Sequence, residues 1–333
     1  MTVLAHRPGR HASPQLTADV LSRQYCPFPL EADARRFGLT TSSMRLGIGT
    51  VAVRHGRRTG SDTATILLHG AAGSWTTWTP LLSAADALRA DEPDSSAARM
   101  TDLVIPDLPG WGDTALPADP AHLTIETMAA TVADIARALG YRRWRVVGHS
   151  MGGLIALQLA AAETRATVSV GLVSATTFSV IESVRHPLAG FGLLPGYASL
   201  LQVMRVLRLT GTWGRTCVAF LARASLLRGL VAPLFRHPAR IHASIIHALG
   251  QEVRPAGFSI ASARAGAYDA AASWKRIECP VRATHGDRDV FVATRDARRL
   301  HDVLADFRII SLPDTGHFGH IERPCDVLRS LPA

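Results

Sequence analysis

The stretch Arg143 to Ala162 reads RWRVVGHSMGGLIALQLAAA, and its reading decides the fold. The first half is a short β-branched run that predicts a buried strand. The second half, from Met151 to Ala162, is small and apolar almost throughout and predicts a helix. Between them stands Gly148-His149-Ser150-Met151-Gly152-Gly153. A strand that passes straight into a helix must turn sharply, and glycines permit the close backbone approach that a Cβ would forbid. Such a turn leaves the Ser150 side chain projecting above the strand end.

The neighbouring sequence repeats this alternation. Upstream, Thr124–Leu139 carries an apolar helical face behind a threonine cap with Glu126 close by. Residues 64–69 (ATILLH) and 102–106 (DLVIP) predict strands, closed by Gly70 and by the turn-rich DLPGWGD. Ser74–Leu88 has helical spacing, and residues 43–56 alternate about central glycines as a tightly turned strand pair would. Downstream, Thr167–Val173, Val281–His285 and Phe307–Leu312 read as strands, with a helix around Thr294–Leu304 between the last two. Strict alternation predicts the α/β class, a mostly parallel sheet flanked by helices on both faces. The pattern lapses over residues 178–257, where helical apolar stretches are broken by Gly and Pro. The predicted organisation is a tail and lead-in (1–42), a core (43–177 and 258–333) and an inserted helical cap (178–257) over the carboxyl end of the sheet.

Of 333 residues, 47% are hydrophobic and 19% charged, the balance of a chain with a large core and not of a disordered one. The net charge of +9 would suit a nucleic-acid binder, yet Lys275 is the sole lysine and no basic block is interleaved with aromatics. No nucleic-acid partner is expected. Met1 to Gln15 is polar and basic, unlike a signal peptide, and no run reaches the ~18 apolar residues of a membrane span. These features predict a cytoplasmic protein without stable membrane insertion. Cys26, Cys217, Cys279 and Cys325 lie far apart and lack metal-ligand spacing, which predicts free thiols and no metal site. No Gly-rich nucleotide loop is present, so no cofactor is expected.

Serine is a weak nucleophile until a base takes its proton. Of the 14 histidines, His317 in Asp314-Thr315-Gly316-His317 follows the last strand and is the candidate base, with His320 as its rival. The acid that would fix the base is Asp289 in Gly286-Asp287-Arg288-Asp289, chosen over Asp287 by its spacing from the strand. A tetrahedral intermediate also requires donors aimed at its oxyanion. The N–H of Met151, after the serine, and of Ala71, in His69-Gly70-Ala71-Ala72-Gly73, are the candidates. Trp75, His149, Trp213 and His320 are candidate substrate contacts.

Taken together, LLHGAAGSW, DLPGWGDT, GHSMGG, HGDRD and TGHFGHIERP resemble the α/β-hydrolase superfamily, in its serine hydrolase branch with a helical cap inserted after the sixth strand. The resemblance spans about residues 43–333. It implies the order nucleophile, acid, base found here, and a structural role for Asp107, Gly110 and Gly112 beside the site. Haloalkane dehalogenases and epoxide hydrolases of this fold carry a carboxylate nucleophile, so Ser150 speaks against both. The implied activity is a carboxylesterase or lactonase acting on a hydrophobic ester or lactone through an acyl-enzyme. A carbon–carbon bond hydrolase or thioesterase would use the same three residues, and a small-molecule receptor would use none of them chemically. Residues 178–257 hold nine arginines against Glu182 and Glu252, which reads as a solvated basic surface. Their surplus of Leu, Val and Phe predicts an apolar pocket between cap and core. A homodimer is the one assembly allowed for.

Overall fold

The computed structural model describes residues 23–89, 97–211, 216 and 227–332. Eight strands form one sheet: β1 (Leu39–Leu46), β2 (Gly49–Gly56), β3 (Thr63–Leu68), β4 (Leu103–Pro106), β5 (Arg143–His149), β6 (Thr167–Val173), β7 (Val281–Gly286) and β8 (Phe307–Leu312). Their spatial order is β1-β2-β4-β3-β5-β6-β7-β8. β1 pairs antiparallel with β2, and β2 antiparallel with β4; all later pairings are parallel. The predicted α/β class with a mostly parallel, helix-flanked sheet is the observed one.

The central strands are apolar on both faces because both faces are covered. Successive side chains of a strand point to opposite sides, so Ile66, Leu68 and Val146 enter one core while Leu67 and Val147 enter the other. Helix α1 (Thr79–Leu88) closes one side with Leu81, Leu82 and Leu88. Helices α2 (Ile125–Ala138) and α3 (Met151–Ala162) close the other with Met128, Ile135 and Leu154. The α3 helix is buried almost all round, which explains its lack of a polar stripe. At the start of α2, Thr127 and not Glu126 completes the capping box. The Thr127 N–H donates to Thr124 Oγ1 at 3.2 Å, and the Thr124 N–H donates to Thr127 Oγ1 at 2.8 Å.

Between β6 and β7 the described chain is helical: α4 (Phe178–Arg185), α5 (Pro187–Leu193), α6 (Pro195–Leu209), α7 (Ala243–Gln251), α8 (Pro255–Ala267) and shorter turns. α8 packs on both α4 and α6. The arginines of this segment are not simply a solvated surface. Arg185 donates to the Gly266 and Tyr268 carbonyls, Arg228 to the Pro238 carbonyl, and Arg254 pairs with Glu252 and the Gly112 carbonyl. After β7 follow α9 (Thr294–Val303) and, past β8, the C-terminal helix α10 (Pro324–Ser330). No helix among the described residues is long and apolar enough to cross a membrane, and no group of three or more His, Cys, Asp or Glu there is arranged to hold a metal ion. Cys26 and Cys325 are buried and Cys279 is half-buried; Cys217 lies outside the described residues.

Candidate active site

The loops that carry Ser150, Asp289, His317 and Ala71 leave the carboxyl ends of parallel strands, where open α/β sheets place their ligands. Ser150 follows β5, Asp289 follows β7, His317 follows β8, and Ala71 follows β3. Ser150 has φ 50° and ψ −118°, a backbone region that L residues enter only when their surroundings enforce it. Its N–H donates to Val173 O at 3.1 Å, and its carbonyl accepts from the Thr176 N–H at 2.9 Å, so the turn is tied to the end of β6. The tightness is what Gly152 permits: a Cβ there would stand 2.1 Å from Leu68 O. Each of these bonds holds the serine at the strand tip with its side chain half-buried.

Asp289 and His317 are brought together by a second close crossing. A Cβ on Gly286 would lie 2.2 Å from the carbonyl oxygens of Thr315 and Gly316, so only glycine lets β7 run under the histidine loop. The His317 Nδ1–H then donates to Asp289 Oδ1 at 3.0 Å and Oδ2 at 3.1 Å. The Asp289 side chain is fully buried and that of His317 nearly so. Asp289 Oδ1 also accepts from the Phe291 N–H at 2.8 Å, which fixes the carboxylate in its own loop. Asp287, the rival, is exposed and instead accepts from the Thr315 N–H at 3.1 Å. With Nδ1 engaged, the imidazole has Nε2 left for another partner.

Ser150, His317, Ala71 and Met151 all border one cavity of about 100 Å³. The rest of its wall is chiefly apolar, with Val180, Met204, Leu249 and Phe258 from the helical segment and Phe291 from the core. The Ser150 hydroxyl lies 3.5 Å from Thr176 Oγ1, and among the described residues it has no hydrogen bond to the His317 ring. Catalytic hydrogen bonds of unliganded sites are often long or unformed. No acceptor among the described residues takes the N–H of Ala71 or Met151. For Met151 this follows from its place at the first turn of α3, where amides have no intrahelical partner.

The candidate substrate contacts fall elsewhere. Trp75, His149 and His320 do not border the cavity; they are buried behind it. The Trp75 N–H donates to Asp107 Oδ1 at 2.9 Å, which draws the residue into the core beside the Arg54–Asp107 ion pair. His149 donates from Nε2 to His317 O at 3.1 Å and lies between the tilted rings of His317 and His320, at 4.9 and 4.4 Å between ring centroids. Burial and the two neighbouring imidazoles push its pKa well below the usual value, so it stays neutral. Trp213 lies outside the described residues.

Several site residues had not been anticipated. Glu322 is fully buried and takes four hydrogen bonds at the back of the histidine loop. Its carboxylate accepts from the N–H groups of Gly316 (2.9 Å) and Phe318 (3.1 Å), which flank His317. It also accepts from Tyr25 Oη–H (2.8 Å) and the Arg236 N–H (3.0 Å). Burial raises its pKa, against the lowering effect of these donors. The His317 N–H itself donates to Leu234 O at 2.8 Å. One clue is in the sequence: Glu322, five residues past the histidine, is the sole carboxylate between Asp314 and Asp326.

A model of the alpha/beta hydrolase family matches residues 65–331, and the chain belongs to that family. A pimeloyl-(acyl-carrier protein) methyl ester esterase of Chromobacterium violaceum is 31% identical over 225 residues, covering 68% of this chain and 80% of that protein. The dihydrolipoyllysine-residue acetyltransferase component of the acetoin cleaving system of Cupriavidus necator is 34% identical over 128 residues, 38% of this chain. The match spans only 30% of that relative's length. Among solved structures, a thermophilic esterase from Thermogutta terrifontis superposes with a TM-score of 0.61 at 19% identity, over 87% of this chain and 96% of that one. Cfl2 of Burkholderia cenocepacia gives 0.64 at 22% identity, over 91% and 98%. At these identities the likeness is one of fold.

Proposed function

We propose that the protein hydrolyses a carboxylic ester or lactone of a hydrophobic substrate, with the helical segment serving as a cap over the reacting end. The observation that carries this reading is the buried Asp289 carboxylate held to Nδ1 of an imidazole that shares an apolar cavity with Ser150. In this reaction the Ser150 hydroxyl leaves Thr176 and donates to His317 Nε2. The hydroxyl oxygen then bonds to the substrate carbonyl carbon while its proton passes to Nε2. Asp289 stays ionised and stabilises the imidazolium. The N–H groups of Ala71 and Met151 receive the negative charge that develops on the carbonyl oxygen. Collapse expels the alkoxide, which takes the proton from Nε2. Water, deprotonated by the same nitrogen, then attacks the acyl carbon. Collapse breaks the bond to Ser150 Oγ, which takes that proton back from Nε2 as the acid is released. The ester-cleaving activity named for the Chromobacterium violaceum relative supports this bond type.

A panel of chromogenic esters of graded chain length tests the proposal. Turnover by the wild type and a loss of at least ~10³-fold in Ser150→Ala are expected, the scale of removing a nucleophile. Undiminished turnover in Ser150→Ala, or no turnover of any ester while thioesters or diketones are cleaved, would overturn it.

A further inference from the structure

The wall that the helical segment gives to the cavity is apolar except at one place among the described residues. Tyr197 on α6 and Ser262 on α8 both border the cavity and are only 7% and 6% exposed, with their hydroxyls 2.9 Å apart. Two hydroxyls carry two protons and use one to bond each other. The second proton meets no acceptor among the described residues. Ser262 also forgoes the usual local bond. Its neighbour Ser259 donates to the carbonyl one turn back, Pro255 O, at 2.8 Å. Burial pushes the Tyr197 phenol up to about 12, so it remains a neutral hydroxyl wherever an ester can be assayed.

The pair is also aligned with the reacting end. The Tyr197 ring meets Phe291 edge-on (centroids 5.9 Å apart, planes at 87°), and Phe291 meets His317 in the same manner (4.8 Å, 71°). A chain filling the cavity from Ser150 would therefore run past these hydroxyls. A buried donor with nothing to bond costs stability, and a ligand oxygen placed against it recovers that cost.

We propose that Tyr197 and Ser262 form a polar subsite that selects substrates carrying a second hydrogen-bond-accepting oxygen, such as a keto group, within the apolar chain. This rests on the ester-hydrolase reading given above. The pair would donate the uncommitted proton to that oxygen, while the surrounding Leu200, Met204 and Phe258 accommodate the methylenes on either side. The two hydroxyls take no part in bond breaking; they set which chain fits.

The test is calorimetric titration of Ser150→Ala protein with methyl decanoate and with methyl oxodecanoates whose keto group is moved along the chain. One keto position is expected to bind about tenfold tighter than methyl decanoate, the worth of a good buried hydrogen bond. That advantage should fall to about onefold when Tyr197→Phe and Ser262→Ala are added together, since either substitution alone leaves one hydroxyl proton uncommitted. Equal binding of every positional isomer, an advantage that survives both added substitutions, or no measurable binding of any ester would each overturn the proposal. Because nothing is turned over in this protein, the outcome is separate from whether Ser150 is a nucleophile, which fluorophosphonate labelling of the wild type reads on its own.

Discussion

His317 and His320 stand three residues apart and are both buried, yet His317 is on the loop after β8 while His320 is in the helical turn Gly319–Glu322 that follows it. The front of the loop faces the cavity, and there His317 meets a carboxylate at 3.0 Å. Behind it, His320 lies 4.6 Å from the Trp78 ring and 4.4 Å from the His149 ring. Neither of its ring nitrogens has a partner among the described residues. Burial and the nearby His317 lower the His320 pKa to about 3. The difference lies in what surrounds each ring. An imidazole buried without an acceptor is held neutral and serves as a flat apolar filler. One whose Nδ1–H meets a carboxylate has its tautomer fixed and its charged form stabilised, as proton transfer requires.

The comparison breaks most visibly if the carboxylate is neutralised. Asp289→Asn keeps the shape but loses the charge that fixes His317, and kcat/KM should fall roughly 10³–10⁴-fold with the circular dichroism spectrum unchanged. A loss smaller than tenfold would mean that His317 does not depend on Asp289. A smaller effect is expected where the two regions share a support. Glu322→Gln weakens the clamp on the amides of Gly316 and Phe318, so kcat should drop about tenfold while KM moves less than about twofold. A change in KM alone would show that Glu322 supports the pocket and not the histidine.

His320 is tested through stability instead of rate. The folded pKa of His320 is depressed below its ordinary value of 6.5, so the unfolded chain binds a proton first as pH falls. The stability it contributes is complete above pH 6.5 and is lost progressively down to about 3. Within that window the limiting slope for one such histidine is about 1.4 kcal/mol per pH unit. Urea unfolding of His320→Phe, which retains an aromatic ring there, should show a shallower acid loss than the wild type by up to that amount. Identical slopes would contradict a neutral, unpartnered His320.

Much of this architecture could be read from residue order alone, because alternation of strand and helix is a local pattern that a parallel sheet imposes. The strand before Ser150 and the helix after it are examples, as are the glycines at the turn. Candidate residues tied to strand ends were likewise placed where the sheet places them. The misses have a common cause. Trp75 and His149 sit beside the site in sequence, but the Trp75 N–H is bonded to the Asp107 carboxylate and the His149 ring to the His317 carbonyl, and both are buried outside the cavity lining. Tyr197, Phe258 and Ser262 face it because helices far apart in the chain pack together, and no short-range pattern reports that. Glu322 was overlooked because its four donors come from segments as distant as Tyr25 and Arg236.

The central claim is that Ser150 is activated by His317. Intact-mass and peptide analysis after treatment with a fluorophosphonate tests this without knowledge of the substrate. The account predicts one adduct per chain, on the peptide bearing Ser150, formed rapidly in the wild type and strongly slowed in His317→Ala. No adduct on Ser150, or labelling there that proceeds equally fast without the imidazole, would contradict it.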